Sequence, residues 1–455
     1  MYLKEIINTK SNINFHDIKL NSNDVNKHDL FIPFGGVSDR NKYINMALKK
    51  GCSAIITDKK YNNKKVFLVD NLNKEIIDIF DIYYDFPLKN THLIGITGTD
   101  GKTTISSIIS DMLKCPSIGT NGFKFKGSYL KLDNTTPSID ILYKCFNKSR
   151  EFKNIVMEVS SEAYLTKRIG DLEFDVGVFS NITKDHLDKH KNIDNYINCK
   201  LELFKHSKIG ILNHDSKYYN LFKNNCKKSL SYGFNKKSDL RIIKYKLYID
   251  NSIIWFKYNK KIYKVKYNLV GVFNVYNIAC SILTLISLGY DMNDILKRIS
   301  NVKSVLGRMD VVYNKKYKIV IDYAHTENST LNVLKFYRKY SRNIITIVGC
   351  AGGRYKDKRK VIGDIVLKYS KLVIFTMDDP RYEDVNLIIK EMIDGSKKKN
   401  YLVIEERSMA IEKGISLCKK NYILLILGKG HDNYMLINNL KIPYSDYSTV
   451  LKLIS

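Results

Sequence analysis

The chain has one tryptophan among its 455 residues, and its eight cysteines never form a CxxC pair. Thiols this sparse exclude a disulfide scaffold and point to a reducing compartment, the cytoplasm. No apolar run approaches the ~18 residues that a membrane span needs. Met1-Tyr2-Leu3-Lys4-Glu5 lacks the basic segment and apolar core of a leader, so a soluble, unprocessed protein without a membrane partner is expected. Repeats of about 20 to 50 residues and low-complexity tracts are lacking too, which excludes a solenoid and a long disordered tail.

Acidic residues are also in short supply: 46 Asp and Glu against 75 Lys and Arg leave a formal charge of +29. Such a charge by itself suggests an anionic partner. The lysines are nevertheless spread through every region beside abundant Asn, Ile and Tyr, which reads as compositional drift rather than a binding stripe. No nucleic-acid partner is expected, and clusters such as Lys397-Lys398-Lys399 read as solvated loop.

A chain of this length implies about three domains. Residues 1–88 carry short strands near 29–33 and 53–57 around a helix near 43–50, a small α/β domain. Residues 89–303 begin with a strand at 92–96, continue through strands near 155–157 and 176–179 and a β-rich patch over 241–270, and close with a helix near 274–288. From 304 to 455, strands near 319–321, 344–348, 372–375, 402–404 and 423–427 alternate with helical stretches such as 360–369. That alternation predicts a mostly parallel, Rossmann-like α/β sheet.

The chemistry starts at Gly95-Ile96-Thr97-Gly98-Thr99-Asp100-Gly101-Lys102-Thr103-Thr104, which follows a strand and opens a helix. Gly98, Thr99, Asp100, Gly101 and Thr104 belong to a turn whose backbone N–H groups can approach phosphate oxygens at the helix's positive end. Lys102 is positioned to neutralise the β and γ phosphates of ATP, and Thr103 to bind Mg²⁺. The strict Walker spacing is not met, since Ile96 stands where that pattern has glycine. Glu158 ends a predicted strand, where open α/β sheets place ligand-binding groups, and is a candidate Mg²⁺ ligand. Asn181-Ile182-Thr183-Lys184-Asp185-His186-Leu187-Asp188 concentrates oxygen and imidazole groups after another strand, with His186 the sharper candidate.

Together these segments resemble the GTxGKTT, MEVSS and TNLxxDHLD signatures of the Mur ligases, and the resemblance extends over essentially the whole chain. It implies an N-terminal UDP-binding domain, a central P-loop ATPase-like domain and a C-terminal amino-acid-binding domain. It makes Lys102, Glu158, His186 and Lys200 the catalytic set, Lys200 as a carbamate that supplies oxygen to a second Mg²⁺. Asn274 and Asn277 match the adenine-contacting segment, and Arg308, Asp322 and His325 match nucleotide contacts of the C-terminal domain. Within the family the segments are most similar to the MurE branch. Asn134, Thr135, Thr136, Ser160 and Arg168 match contacts to the muramoyl dipeptide, and Ser22 lies in a segment that loosely resembles the uridine site. Arg354, Asp378, Asp379, Pro380, Arg381, Gly428 and Asp432 match the pocket of the incoming amino acid.

The resemblance implies a monomeric, ATP- and Mg²⁺-dependent ligase of peptidoglycan precursor synthesis. Its small-molecule partners are a UDP-muramoyl dipeptide and a diamino acid. An arginine at 381 suits the distal carboxylate of meso-diaminopimelate better than the ammonium of lysine, although acidic residues at 379 and 432 pull towards lysine. Departures from the family pattern are Glu162 for His, Thr166 for Gln, Asp379 for Asn, Asp432 for Glu, Arg40 for Gly and Glu327 for Pro. The alternatives are another member of the superfamily, such as a folylpolyglutamate synthetase, and a nucleotide-binding protein without ligase activity.

Overall fold

The computed structural model describes residues 1–36, 39–183, 190, 192–302, 304–438 and 440–454. They form two compact units, one of Met1–Ile182, Asp194–Ser238 and Cys280–Gly289, the other of Thr183–Ile193, Asp239–Ala279 and Tyr290–Ser455.

In the first unit, the strands Ile18–Lys19, Leu30–Phe31, Ala54–Thr57 and Val66–Leu68 pair in parallel in that order. Ile44 and Ala47 on the helix Arg40–Lys49 close a small core with Phe31 and Ile55. The larger sheet runs Ser229–Gly233, Ser207–Asn213, Phe174–Phe179, His92–Thr97, Asn154–Glu158, Ser117–Gly119, Gly122–Phe125 and Ser128–Leu130. All neighbours are parallel except the last two pairs. His92–Thr97 lies between Phe174–Phe179 and Asn154–Glu158, so the carboxyl ends of three adjacent strands, and the loops that leave them, meet at one edge. Open α/β sheets bind ligands at such an edge.

In the second unit the order is Asp310–Asn314, Lys318–Asp322, Ile423–Leu427, Ile344–Val348, Leu372–Phe375 and Tyr401–Val403, parallel apart from the first pair. Side chains alternate across it. Val320 and Leu425 join a core with the helices Glu327–Arg338, Lys358–Tyr369 and Val385–Ile393, whereas Ile319, Ile321 and Leu424 face Ala410, Ile411 and Val450 of the helices Arg407–Ser416 and Asp446–Ile454. Both faces are covered, which is why these strands read as unbroken apolar runs.

The same unit holds an antiparallel meander of Leu240–Leu247, Ser252–Tyr258 and Lys261–Tyr267. Ile242, Ile254, Phe256 and Val265 are buried on one face. Cross-strand rows Lys244–Trp255–Lys264 and Lys246–Ile253–Lys266 line the other, with Arg241 opposite Lys257.

Candidate active site

The helix Lys102–Leu113 starts at Gly101, whose φ of 90° lies in the left-handed region that a glycine tolerates best. Gly98, at φ 147°, passes so close to the chain that an added Cβ would overlap Ser180 Oγ. This backbone, rather than the glycine spacing alone, shapes the loop. Thr99 and Asp100 donate their N–H groups to Asn181, at 2.9 Å to its carbonyl and 3.0 Å to its Oδ1. A phosphate at this turn would meet the positive N-terminal end of the helix rather than the Thr99 and Asp100 N–H groups.

Lys102 Nζ donates to the carbonyls of Gly98 and Thr99 at 2.9 and 2.8 Å. Lys200, buried on the helix Ile193–Lys205, donates to the same Gly98 carbonyl at 2.8 Å, and its ammonium stands 4.4 Å from the ring centroid of Tyr196. Tyr196 OH in turn lies 3.0 Å from Thr99 Oγ1. Two of the expected catalytic lysines thus converge on the phosphate loop.

Glu158 ends its strand and is buried at 1% exposure. Its Oε2 accepts hydrogen bonds from Thr103 Oγ1 and Thr120 Oγ1, both at 3.0 Å, and Oε1 accepts one from Thr120 N at 2.9 Å. The carboxylate fits because Gly119 has no Cβ, which would collide with it. Thr103, expected to bind a metal, is in direct contact with Glu158, another of the expected ligands. Thr120 escaped the sequence reading, although its position in Gly119-Thr120-Asn121-Gly122, a polar turn between glycines, was a usable signal. His186 lies outside the described residues. Among the described residues no group of three or more His, Cys, Asp and Glu side chains gathers, yet hydroxyls and a carboxylate are the all-oxygen donors that a hard cation prefers.

The segment matched to the dipeptide substrate reaches the same place. Thr135 Oγ1 lies 3.2 Å from Thr120 Oγ1, and Thr136 Oγ1, donating to the Glu158 carbonyl at 2.9 Å, also accepts from Ser160 N at 2.9 Å. Arg168 Nη1 donates to the Thr136 carbonyl at 2.9 Å. Burial lowers the Arg168 pKa while nearby Glu162, one of the departures, acts against that shift. Asn134 is exposed. Ser22, buried, has Met46 Sδ as its contact at 3.8 Å, and Arg40 pairs with Asp58. Thr166 caps the end of the helix Ser161–Leu165, its hydroxyl donating to the Glu162 carbonyl at 2.7 Å.

In the second unit Asn274 and Asn277 are buried on the helix Val272–Ser287. Asn274 Nδ2 donates to the Val270 carbonyl at 2.7 Å, and Asn277 Nδ2 to Asn274 Oδ1 at 2.9 Å. Asp322 accepts the N–H groups of Met309 at 2.6 Å and Ala324 at 2.7 Å, so it braces the turn that carries Arg308. The Arg308 guanidinium lies 4.6 Å from the Tyr323 ring centroid. His325 Nδ1 sits 2.7 Å from the Tyr323 carbonyl, which places the ring proton on that nitrogen.

Asp378, Asp379 and Asp432 surround Lys429, which follows Gly428. The Lys429 ammonium, fully buried, lies 2.7 Å from Asp379 Oδ1 and 3.7 Å from Asp432 Oδ2. Burial opposes its charge, but Asp378, Asp379 and Asp432 outweigh that and raise its pKa. Burial also raises Asp378, and it pushes Asp432 up to about 6 against the pull of Lys429. Asp379 Oδ1 further accepts Leu436 N at 2.9 Å, and Arg381 N donates to the Leu436 carbonyl at 2.9 Å. Asp379 and Arg381 flank Pro380 with φ of 44° and 57°. Arg381 Nε is buried and, among the described residues, has no hydrogen-bond partner. Gly352 N donates to the Asp379 carbonyl at 3.0 Å, which draws the loop of half-buried Arg354 against this segment. A Cβ at Gly428 would strike Asp378. Behind the cluster, Arg407 and Asp446 form a fully buried pair, Nε to Oδ1 2.8 Å. At 39 positions apart, they gave no local sequence signal.

Residues 96–285 match the Mur ligase middle domain, and residues 307–430 match the Mur ligase, glutamate ligase domain. The UDP-N-acetylmuramoyl-L-alanyl-D-glutamate–2,6-diaminopimelate ligase 2 of Clostridium acetobutylicum is 35% identical, with 99% of this chain and 97% of that protein covered. A Fusobacterium nucleatum ligase with the same substrates in its name is 34% identical over 95% of this chain and 92% of its own length. Among solved structures, a UDP-N-acetylmuramoyl-L-alanyl-D-glutamate–2,6-diaminopimelate ligase shares the fold with a TM-score of 0.72 at 24% identity, covering 100% of this chain and 98% of that one. The MurF ligase of Thermotoga maritima, in complex with ADP, gives 0.63 at 20% identity, covering 96% of each chain. With both domains matched and full-length relatives above 30% identity, the chain belongs to the Mur ligase family, in its MurE branch.

Proposed function

We propose that the chain is an ATP-dependent, ADP-forming ligase that joins meso-diaminopimelate to the D-glutamate γ-carboxylate of UDP-N-acetylmuramoyl-L-alanyl-D-glutamate. The names of its full-length relatives support this reading. In the chain itself it rests on Glu158, a buried carboxylate held by neutral hydroxyl and N–H donors one contact from the phosphate loop. Thr103, Glu158 and a carbamylated Lys200, together with His186, would hold Mg²⁺. Bound there, the metal would offset negative charge on the transferring phosphoryl group.

Lys102 exchanges the Gly98 and Thr99 carbonyls for the β and γ phosphates, and the helix N-terminus holds their remaining oxygens. The substrate carboxylate attacks the γ-phosphorus, the bond to ADP breaks, and an acyl phosphate results. Thr135, Thr136, Ser160 and Arg168 orient the dipeptide. The amine of the diamino acid then attacks the acyl carbon, loses a proton and expels phosphate.

Arg381 favours diaminopimelate, because its buried Nε offers a charge-assisted hydrogen bond to a distal carboxylate. The acidic departures count less than their charge suggests: Asp379 is already paired with Lys429, and Asp432 lies 3.7 Å from the same ammonium. The reading includes a cytoplasmic monomer with domains at 1–88, 89–303 and 304–455. Phosphate release should require ATP, Mg²⁺, the UDP-dipeptide and diaminopimelate together, at least about tenfold faster than with L-lysine. Turnover with neither amino acid would refute the assignment.

A further inference from the structure

The lysines that look scattered along the chain are not scattered on the meander. Cross-strand pairing, with a bulge between Ile242 and Lys244 that resets the alternation of the first strand, sends Arg241, Lys244, Lys246, Lys257, Lys264 and Lys266 to one face, and none of the strands contains Asp or Glu. The pattern cannot be reversed, since the other face buries Ile242, Ile254, Phe256 and Val265. Trp255, the chain's only tryptophan, occupies the middle strand between Lys244 and Lys264, whose ammoniums lie 4.9 and 5.4 Å from its ring centroid. Ile262, opposite Lys257, is 65% exposed. Like charges crowded on neighbouring strands repel one another, a cost that an anionic partner would remove.

We propose that this face is a peripheral docking surface for an anionic phospholipid bilayer. Five of the six cations are lysines, compact charges that respond to a diffuse negative potential and lack the fork with which arginine grips individual phosphates. Clusters of four to eight basic residues bind anionic membranes in this way. Tryptophan beside basic groups suits the headgroup region, and an exposed isoleucine adds apolar contact. Single-stranded nucleic acid fits less well, because the Trp255 ring on which a base would stack is already covered by two ammoniums. Docking of this kind needs no membrane-spanning helix, and it does not depend on which amino acid the enzyme adds.

Trp255 makes the test direct, since all tryptophan emission comes from this face. The full chain is titrated with vesicles of phosphatidylglycerol and phosphatidylcholine in equal parts, with pure phosphatidylcholine vesicles, and with a single-stranded oligonucleotide. The expected result is a blue shift with the anionic vesicles alone, fading as salt rises. Replacing Lys244, Lys246, Lys264 and Lys266 together by Gln should weaken vesicle flotation on the order of a hundredfold, with phosphate release unchanged. The triple variant Lys397→Gln, Lys398→Gln, Lys399→Gln, in an exposed loop, should retain binding. No shift, an equal shift with neutral vesicles, or an equal loss in the loop variant overturns the proposal. Quenching by the oligonucleotide with vesicles inert overturns it too, in favour of nucleic acid.

Discussion

Glu158 and Asp379 are carboxylates at opposite ends of the proposed reaction, and they are held in opposite ways. Glu158 receives two threonine hydroxyls and one backbone N–H, all neutral. Asp379 receives the ammonium of Lys429 at 2.7 Å. A carboxylate held by neutral donors keeps its charge for an incoming cation, whereas one held by a buried lysine uses its charge inside the fold. The first arrangement suits the proposed metal site and the second a framework that presents another group, here Arg381.

The largest test of this contrast is Glu158→Gln, which preserves shape and removes charge. Phosphate release should fall on the order of a hundredfold to a thousandfold and the Mg²⁺ requirement should rise, while the thermal midpoint stays nearly fixed. A midpoint that collapsed with the activity would make Glu158 part of the framework and erase the contrast. Next in size, Arg381→Ala should raise KM for diaminopimelate by roughly ten- to a hundredfold and leave kcat nearly unchanged, the signature of a lost charge-assisted hydrogen bond to a ligand. Steady-state kinetics across diaminopimelate concentrations would show the split.

The smallest effect concerns Asp432, pushed by burial from 3.8 to about 6. Because the fold binds this proton more tightly than the unfolded chain does, the resulting stability is complete below about pH 4 and is lost as pH rises through about 6. Asp432→Asn should therefore raise the thermal midpoint by a few degrees at pH 7, with the gain shrinking to nothing by pH 4. Melting curves at the two pH values decide it.

Much of this was legible because the second unit's strands are covered on both faces. The apolar runs at 344–348, 372–375 and 423–427 coincide with strands Ile344–Val348, Leu372–Phe375 and Ile423–Leu427. Ser207–Asn213 and Ser229–Gly233 went unread, since serines, glycines and a lysine interrupt them and their place is set by pairing with neighbours distant in sequence. The phosphate loop was visible as a contiguous motif. Thr120 at Glu158, Lys429 against Asp379 and Arg407 against Asp446 are tertiary pairings, which no local spacing encodes. The lysine-rich face was hidden for the same reason, as its charges assemble only when three strands come into register.

The carbonyl of Gly98 is moored twice, by Lys102 and by Lys200. One oxygen has two lone pairs, so neither amine displaces the other. On the proposed reading an arriving nucleotide would draw Lys102 away, and Lys200, as the unmodified amine seen here, would still tie the loop to the neighbouring helix until it is carbamylated. The loop could thus release one of its two cations without losing its shape, a redundancy that would let a single strand-to-helix turn serve both as the proposed handle for the nucleotide and as a fixed point of the fold.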